Sequence, residues 1–271
     1  MRTFNLIRRT LIIIFTVTVL YPLVYTIMLS FKSQRDVLAN PLWINSFQPE
    51  NYVNAWIKGH ASEFFLNSVY ITGISVILCM FVILLAAYSV AFLKPPGYKI
   101  IFTIIISMLF ISSEMTTIPN FLTIKNLGLY NTREGLILIY VATSFAMGTY
   151  IMAGAFDSVP KELEDSAMID GAGIFKTMTN IFLPLVLPSI ACVAVLLFQA
   201  VWSEFFWALV LIQDVTKKTL MLGLMSFQSQ FTTDYGVLTA GLVIATLPIL
   251  TVFVFGSKYF ISGVASGAVK G

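Results

Sequence analysis

Residues 160–188 read PKELEDSAMIDGAGIFKTMTNIFLPLVLP. Glu162, Glu164, Asp165 and Asp170 make this the densest group of acids in the chain, yet long apolar segments flank it on both sides. Such a pattern places a polar device between membrane spans. Lys161 to Ile169 contain no Gly or Pro and follow Pro160, a residue whose fixed φ suits the first turn of a helix. Gly171 and Gly173 then end the helix. Leu163, Ala167 and Ile174 share one face by helical spacing, so the piece is suited to lie along a membrane surface or against a partner.

The rest of the chain sets that device in lipid. The protein has 271 residues, of which 58% are hydrophobic and 11% charged, and its mean hydropathy is +0.89. Soluble domains carry about 25% charged residues, so this composition specifies an integral membrane protein. A net charge of +3, spread along the chain, argues against nucleic acid as a partner. Cys79 and Cys192 sit in apolar runs far from other metal ligands, and His60 is the single histidine; neither a disulfide framework nor a metal site is expected.

Hydropathy predicts an all-α, single-domain protein over residues 1–271, with spans near 10–31, 69–93, 100–118, 135–156, 187–212 and 236–256. The first follows Arg2, Arg8 and Arg9 and covers about 33 Å as a helix at about 1.5 Å per residue, which is read as a retained span rather than a signal peptide. Trp43 and Trp56 fit a membrane interface, and a short amphipathic helix is expected after Pro49. The second span is rich in small residues (Gly73, Ser75, Ala86, Ala87) that let helices approach closely. Pro119 is expected to disturb the third. With both termini inside, nine Lys and Arg residues lie in inside segments against seven outside, and the first two inside segments carry no acids. This bias puts residues 160–182 in the cytoplasm.

No phosphate-binding Gly-rich loop, Gly-x-Ser-x-Gly or His-Glu-x-x-His motif is present, so an enzyme is not expected. The quoted stretch does, however, resemble the cytoplasmic loop of permease subunits of bacterial ABC importers. That loop reads Glu-Ala-Ala, three residues, Gly, nine residues, Ile, one residue, Leu-Pro. Here Asp165, Ser166 and Ala167 precede Gly171, then Ile181, Leu183 and Pro184 follow with every spacing kept; Asp keeps the charge on a shorter arm and Ser the small volume. Further stretches are similar to the carbohydrate branch: Phe65 to Ser68 (FLNS), Asn126 to Thr132 (NLGLYNT), Trp202 to Phe205, and the tail with Tyr259, Phe260, Gly263 and GAVKG, which resembles the maltose-type subunit.

The resemblance implies a non-catalytic subunit of the bacterial inner membrane that forms half of a sugar-translocating pore. Its implied partners are a second homologous permease, two ATP-binding subunits and an extracytoplasmic solute-binding protein. It needs no cofactor of its own, since ATP is used by a partner. Glu162, Glu164, Asp165, Ser166, Ala167, Asp170, Gly171 and Ala172 are then the expected contacts of a coupling helix with the ATPase. Glu114 and Glu204 lie at similar depth, about 20 to 25 Å along their helices. A carboxylate facing lipid costs roughly 2.5 to 3.5 kcal/mol on insertion scales, so each should face a cavity or a partner. With Trp202, whose ring can stack on a sugar, they are the expected translocation path; the competing reading bonds each to a neighbouring helix, the second permease or the outside receptor. Two alternatives stand beside this function: a permease of the same kind for a non-sugar solute, and a secondary transporter using Glu114 and Glu204.

Overall fold

In lipid no water answers a bare backbone group, so the chain must satisfy its amides within helices. The computed structural model follows that constraint. It describes residues 2–40, 43–160, 162–169, 171–227 and 234–268, apart from the side chains of 2–6, 164, 165, 168 and 257–268. Among the described residues there are helices and no strands. In order they are α1 (Arg2–Ser30), α2 (Gln34–Ala39), α3 (Glu50–Val53), α4 (Ala61–Tyr88), α5 (Tyr98–Ser107), α6 (Thr117–Asn126) and α7 (Arg133–Asp157). Then follow α8 (Glu162–Ile169), α9 (Ile174–Thr177), α10 (Leu183–Leu185), α11 (Leu187–Trp202), α12 (Phe206–Leu211), α13 (Leu220–Leu224) and α14 (Tyr235–Ala268).

Four stretches are unbroken, long and apolar enough to cross a membrane: Ile7–Ser30, Ala61–Leu93, Arg133–Asp157 and Tyr235–Gly256. Two more pass that test only as bent pairs, Tyr98–Phe110 with Ser113–Asn126 at 100° and Ile174–Leu185 with Leu187–Trp202 at 80°. In the first pair the helix stops at Ile111 and Ser112, which are extended (ψ 115° and 139°), well before Pro119. That proline sits instead in the first turn of α6, where its missing N–H costs nothing. In the second pair Pro188 lacks the amide that would continue the ladder to Pro184, and the chain turns at Val186. The expected fifth span also ends early, at Trp202, and resumes as the short α12.

The helices group into two compact units, Met1–Leu66 with Thr219–Pro248, and Asn67–Lys218 with Ile249–Gly271. In the first, Asn51 is buried and its amide donates to the Ser30 and Lys32 carbonyls at 3.0 and 2.8 Å, closing the C-terminal end of α1. Gly236 permits this approach, since a Cβ there would lie 2.5 Å from the Lys32 carbonyl oxygen. Residues 7–24 of α1 are exposed all round in this chain, a helix apolar on every side whose neighbours are lipid or another subunit. The short helix expected after Pro49 is present as α3 and the π turn Asn54–Lys58.

In the second unit α4 lies directly on α7. A Cβ on Gly148 would overlap the side chain of the fully buried Ile83, so glycine sets the closeness of this pair. In the same unit two asparagines from the FLNS and NLGLYNT stretches hold the 211–218 loop. Asn67 donates to the Thr216 and Lys218 carbonyls at 2.8 and 3.0 Å. Asn131, left-handed at φ 59°, accepts from the Gln213 and Asp214 amides at 2.9 and 3.0 Å, and its own N–H donates to the Leu211 carbonyl. Asp214 in turn accepts from Thr216, which holds its carboxyl below the usual value near 3.8.

This clasp predicts a graded series. Asn131→Gly keeps the left-handed backbone and loses the side-chain bonds, at about 1 to 3 kcal/mol. Asn131→Ala loses the same bonds and adds the strain of a Cβ at positive φ, roughly 1 kcal/mol more. Thermal unfolding of the detergent-purified protein should rank wild type above Gly above Ala.

Candidate functional site

The acidic stretch folds as a short helix with a defined stop. Ser166 Oγ donates to the Glu162 carbonyl at 2.7 Å, and Ala167 is buried while Glu162 and Ser166 are exposed. Gly171 stands at φ 71°, and the Ala172 N–H donates back to the Ala167 carbonyl at 2.9 Å. A left-handed glycine followed by that six-to-one bond is a Schellman stop. The side chains of Glu164 and Asp165, and Lys161 and Asp170 altogether, lie outside the described residues. What the acid pattern did not signal is apolar: Ile169 is 87% exposed, Ile174 59% and Phe175 71%. Large side chains beside a glycine turn were the available sign. Of the expected face, Ala167 points inward whereas Leu163 and Ile174 are exposed.

The membrane carboxylates stand at helix breaks. Glu204 lies between α11 and α12, where the first amides of α12 have no helical partner. Its carboxylate accepts from the Trp207 N–H at 2.8 Å, the Ala208 N–H at 3.3 Å and the Tyr140 hydroxyl at 2.7 Å. The Trp207 indole N–H donates to Ser113 Oγ at 2.8 Å, fastening this break to the one in the third expected span. Glu114 follows that break, exposed, and accepts from the Ser112 hydroxyl.

Both acids line one cavity of about 220 Å³ together with Ser113, Tyr140, Thr143, Ser144, Phe206 and Trp207. Trp202 is not among its walls: it is buried, with its ring stacked on Phe198 at 5.5 Å. The reason is the break: Trp202 closes α11 on its buried side, whereas Trp207 starts the next helix beside Glu204, whose carboxylate holds its N–H. The cavity therefore offers carboxylate, hydroxyl and indole groups, suited to hydrogen bonding and stacking with a polar ring. A second cavity, about 650 Å³, lies toward the C-terminal end of α7 and is lined by Lys94, Tyr98, Tyr150, Gly154, Asp157 and Ser158 among others. Tyr140 and Gly154 are about 21 Å apart along α7 at about 1.5 Å per residue. No group of three or more metal-ligating side chains occurs among the described residues.

A polytopic helical membrane protein with two cavities along one helix has the build of a transport subunit. The chain belongs to the family of binding-protein-dependent transport system inner membrane components, whose model matches residues 60–265. It is 34% identical to a probable ABC transporter permease of Bacillus subtilis over 95% of this chain and 86% of that one. It is 32% identical to the diacetylchitobiose uptake system permease of Streptomyces coelicolor over 99% and 90%. Among solved structures it is similar to a bacterial ABC transporter involved in the import of the acidic polysaccharide alginate. That match has a TM-score of 0.85 at 23% identity, covering 96% of this chain and 97% of that one, a likeness of fold. It is thus a permease subunit and not an enzyme.

The two acids should separate on substitution. Glu204→Ala leaves two amides and a tyrosine hydroxyl unanswered, each costing about 1 to 3 kcal/mol, whereas Glu114→Ala frees one exposed serine. Purified Glu204→Ala should melt several degrees below wild type and Glu114→Ala close to it.

Proposed function

We propose that this chain forms half of the pore of an ATP-driven, binding-protein-dependent sugar importer, with six crossings and both termini in the cytoplasm. The observation that carries the reading is the glycine-stopped turn between α8 and α9, around which Ile169 of α8 and Ile174 and Phe175 of α9 are presented to the outside of the chain. A group of large apolar side chains around a fixed turn suits docking into a groove of a partner. Glu162, Glu164, Asp165, Ser166 and Asp170 add acceptors for basic or amide groups there, and Ala167, Gly171 and Ala172 set the shape. The four unbroken and two bent helices supply six crossings if each bent pair counts as one. Relatives named for diacetylchitobiose, for trehalose and maltose, and for melibiose, raffinose and stachyose support a sugar as solute.

The partners are then a second homologous permease, two ATP-binding subunits that use the ATP, and an extracytoplasmic solute-binding protein. ATP binding closes the ATPases, the docked loops move with them, and the pore between the permeases turns from inward-facing to outward-facing. Solute leaves the binding protein into the pore, and hydrolysis resets the assembly. Glu114 and Glu204 border the path near its outer half; for Trp202 to meet the solute, α11 must turn its buried face to the pore. A secondary transporter is less well supported, because three donors already occupy the Glu204 carboxylate, leaving it poorly suited to bind and release an ion.

Two experiments test this. Gly171→Val puts a β-branched residue at φ 71°, straining the stop by about 1 to 3 kcal/mol; the variant should reach the membrane at normal levels but fail in ATP-dependent sugar uptake. Normal uptake would sink the coupling role. Glu114→Gln keeps shape and removes charge, and it should alter the apparent affinity for sugar; identical affinity and rate would remove Glu114 from the path.

A further inference from the structure

The loop that follows α7 begins and ends on the same four aromatic rings. Phe156 lies in the last turn of α7, Phe182 closes the π turn Met178–Phe182, and both are fully buried. Tyr88 ends α4 and is also buried, and Phe92 sits in the π turn Ser89–Leu93 that prolongs it. Each ring has its centroid within 6.5 Å of the other three, and the closest pair, Phe92 with Phe182, is 4.0 Å apart. Between these two anchors the loop carries the exposed Ile169, Ile174 and Phe175. A push on α8 is therefore delivered at two points that adjoin in space although they are 26 residues apart in sequence.

We propose that the Tyr88, Phe92, Phe156 and Phe182 cluster is the joint through which this loop moves α4 and α7 as one body, with Phe92 and Phe182 as its positioning residues. The proposal rests on the coupling role of residues 160–182 and specifies how the motion enters the membrane. Close-packed rings shift between discrete arrangements and do not deform continuously, so they hold the loop's two ends in register with α4. Both members of the closest pair stand in π turns, which are uncommon and occur often at functional sites. An ordinary core would need neither feature. The same core extends to Val193 and Leu197 on α11, outside the π turns and the α4–α7 contact, which provides the control.

The test uses the complete transporter, with its ATPases and binding protein, in proteoliposomes, and reads sugar taken up per ATP hydrolysed. Phe92→Ala should keep ATP hydrolysis while that ratio falls by about 2- to 30-fold, the span over which packed-network residues modulate coupling. Phe92→Leu, which keeps apolar volume without the ring, should fall less and guards against a folding failure. Val193→Ala and Leu197→Ala should lower thermal stability with the ratio unchanged. An unchanged ratio in both Phe92 variants, or an equal fall in the Val193 and Leu197 controls, overturns the joint. Gly171→Val separates the two levels: if it uncouples and Phe92→Ala does not, only the joint falls, whereas a normal ratio in Gly171→Val removes the coupling role beneath it.

Discussion

A helix that stops inside hydrocarbon exposes amides and carbonyls that nothing but protein can answer. This chain stops twice at such places, at Ile111–Ser112 and at residues 203–205, and Glu204 is the answer at the second. By accepting from two amides of α12 and from Tyr140 on α7, it turns a break into a fixed corner. The Trp207 indole then ties that corner to Ser113 beside the first break. The cavity between them exists because both breaks are held open by these bonds, and Glu114 stands on its rim without comparable ties in the lining. Two acids that look equivalent by depth thus differ in setting: one is tied into a corner and the other is exposed.

The same economy governs the segment around α8. A short isolated helix of eight residues is marginal in water, so α8 depends on what bounds it. A Schellman stop bounds one side and the buried Val159 and Phe156 the other. Stiffness at the ends, together with apolar exposure in the middle, suits the loop to the coupling role proposed for it. A membrane subunit lacking any phosphate-binding motif needs such a part if its energy comes from another chain.

Much of this was legible in the residues. An all-helical membrane class followed from composition and hydropathy, because lipid leaves the backbone few options. The stop at Gly171 followed from a glycine past a helical run. The FLNS and NLGLYNT stretches stood out as family resemblances, but their asparagines gave no sign of a shared target; the loop they hold lies about 80 and 150 residues further on. Pro119 misdirected the placement of the third break, since a proline is equally at home in a first turn, and the extended Ile111–Ser112 pair has no strong local propensity to announce it. Trp202 drew notice as a large aromatic beside an acid, but the break at 203–205, which turns Trp207 to the cavity instead, has no local sequence signal.

By itself the sequence determined that the chain lives in a membrane as helices, that a charged, glycine-stopped segment interrupts them, and that no catalytic motif accompanies it; these are properties of local period and composition. Only the tertiary structure decided which acid is tied and which is open, which tryptophan lines the cavity, and that both ends of the loop meet on one set of rings. Those depend on contacts between residues far apart in the chain, and their geometry is set by how closely helices approach, as at Gly148 and Ile83, which no run of neighbouring residues encodes.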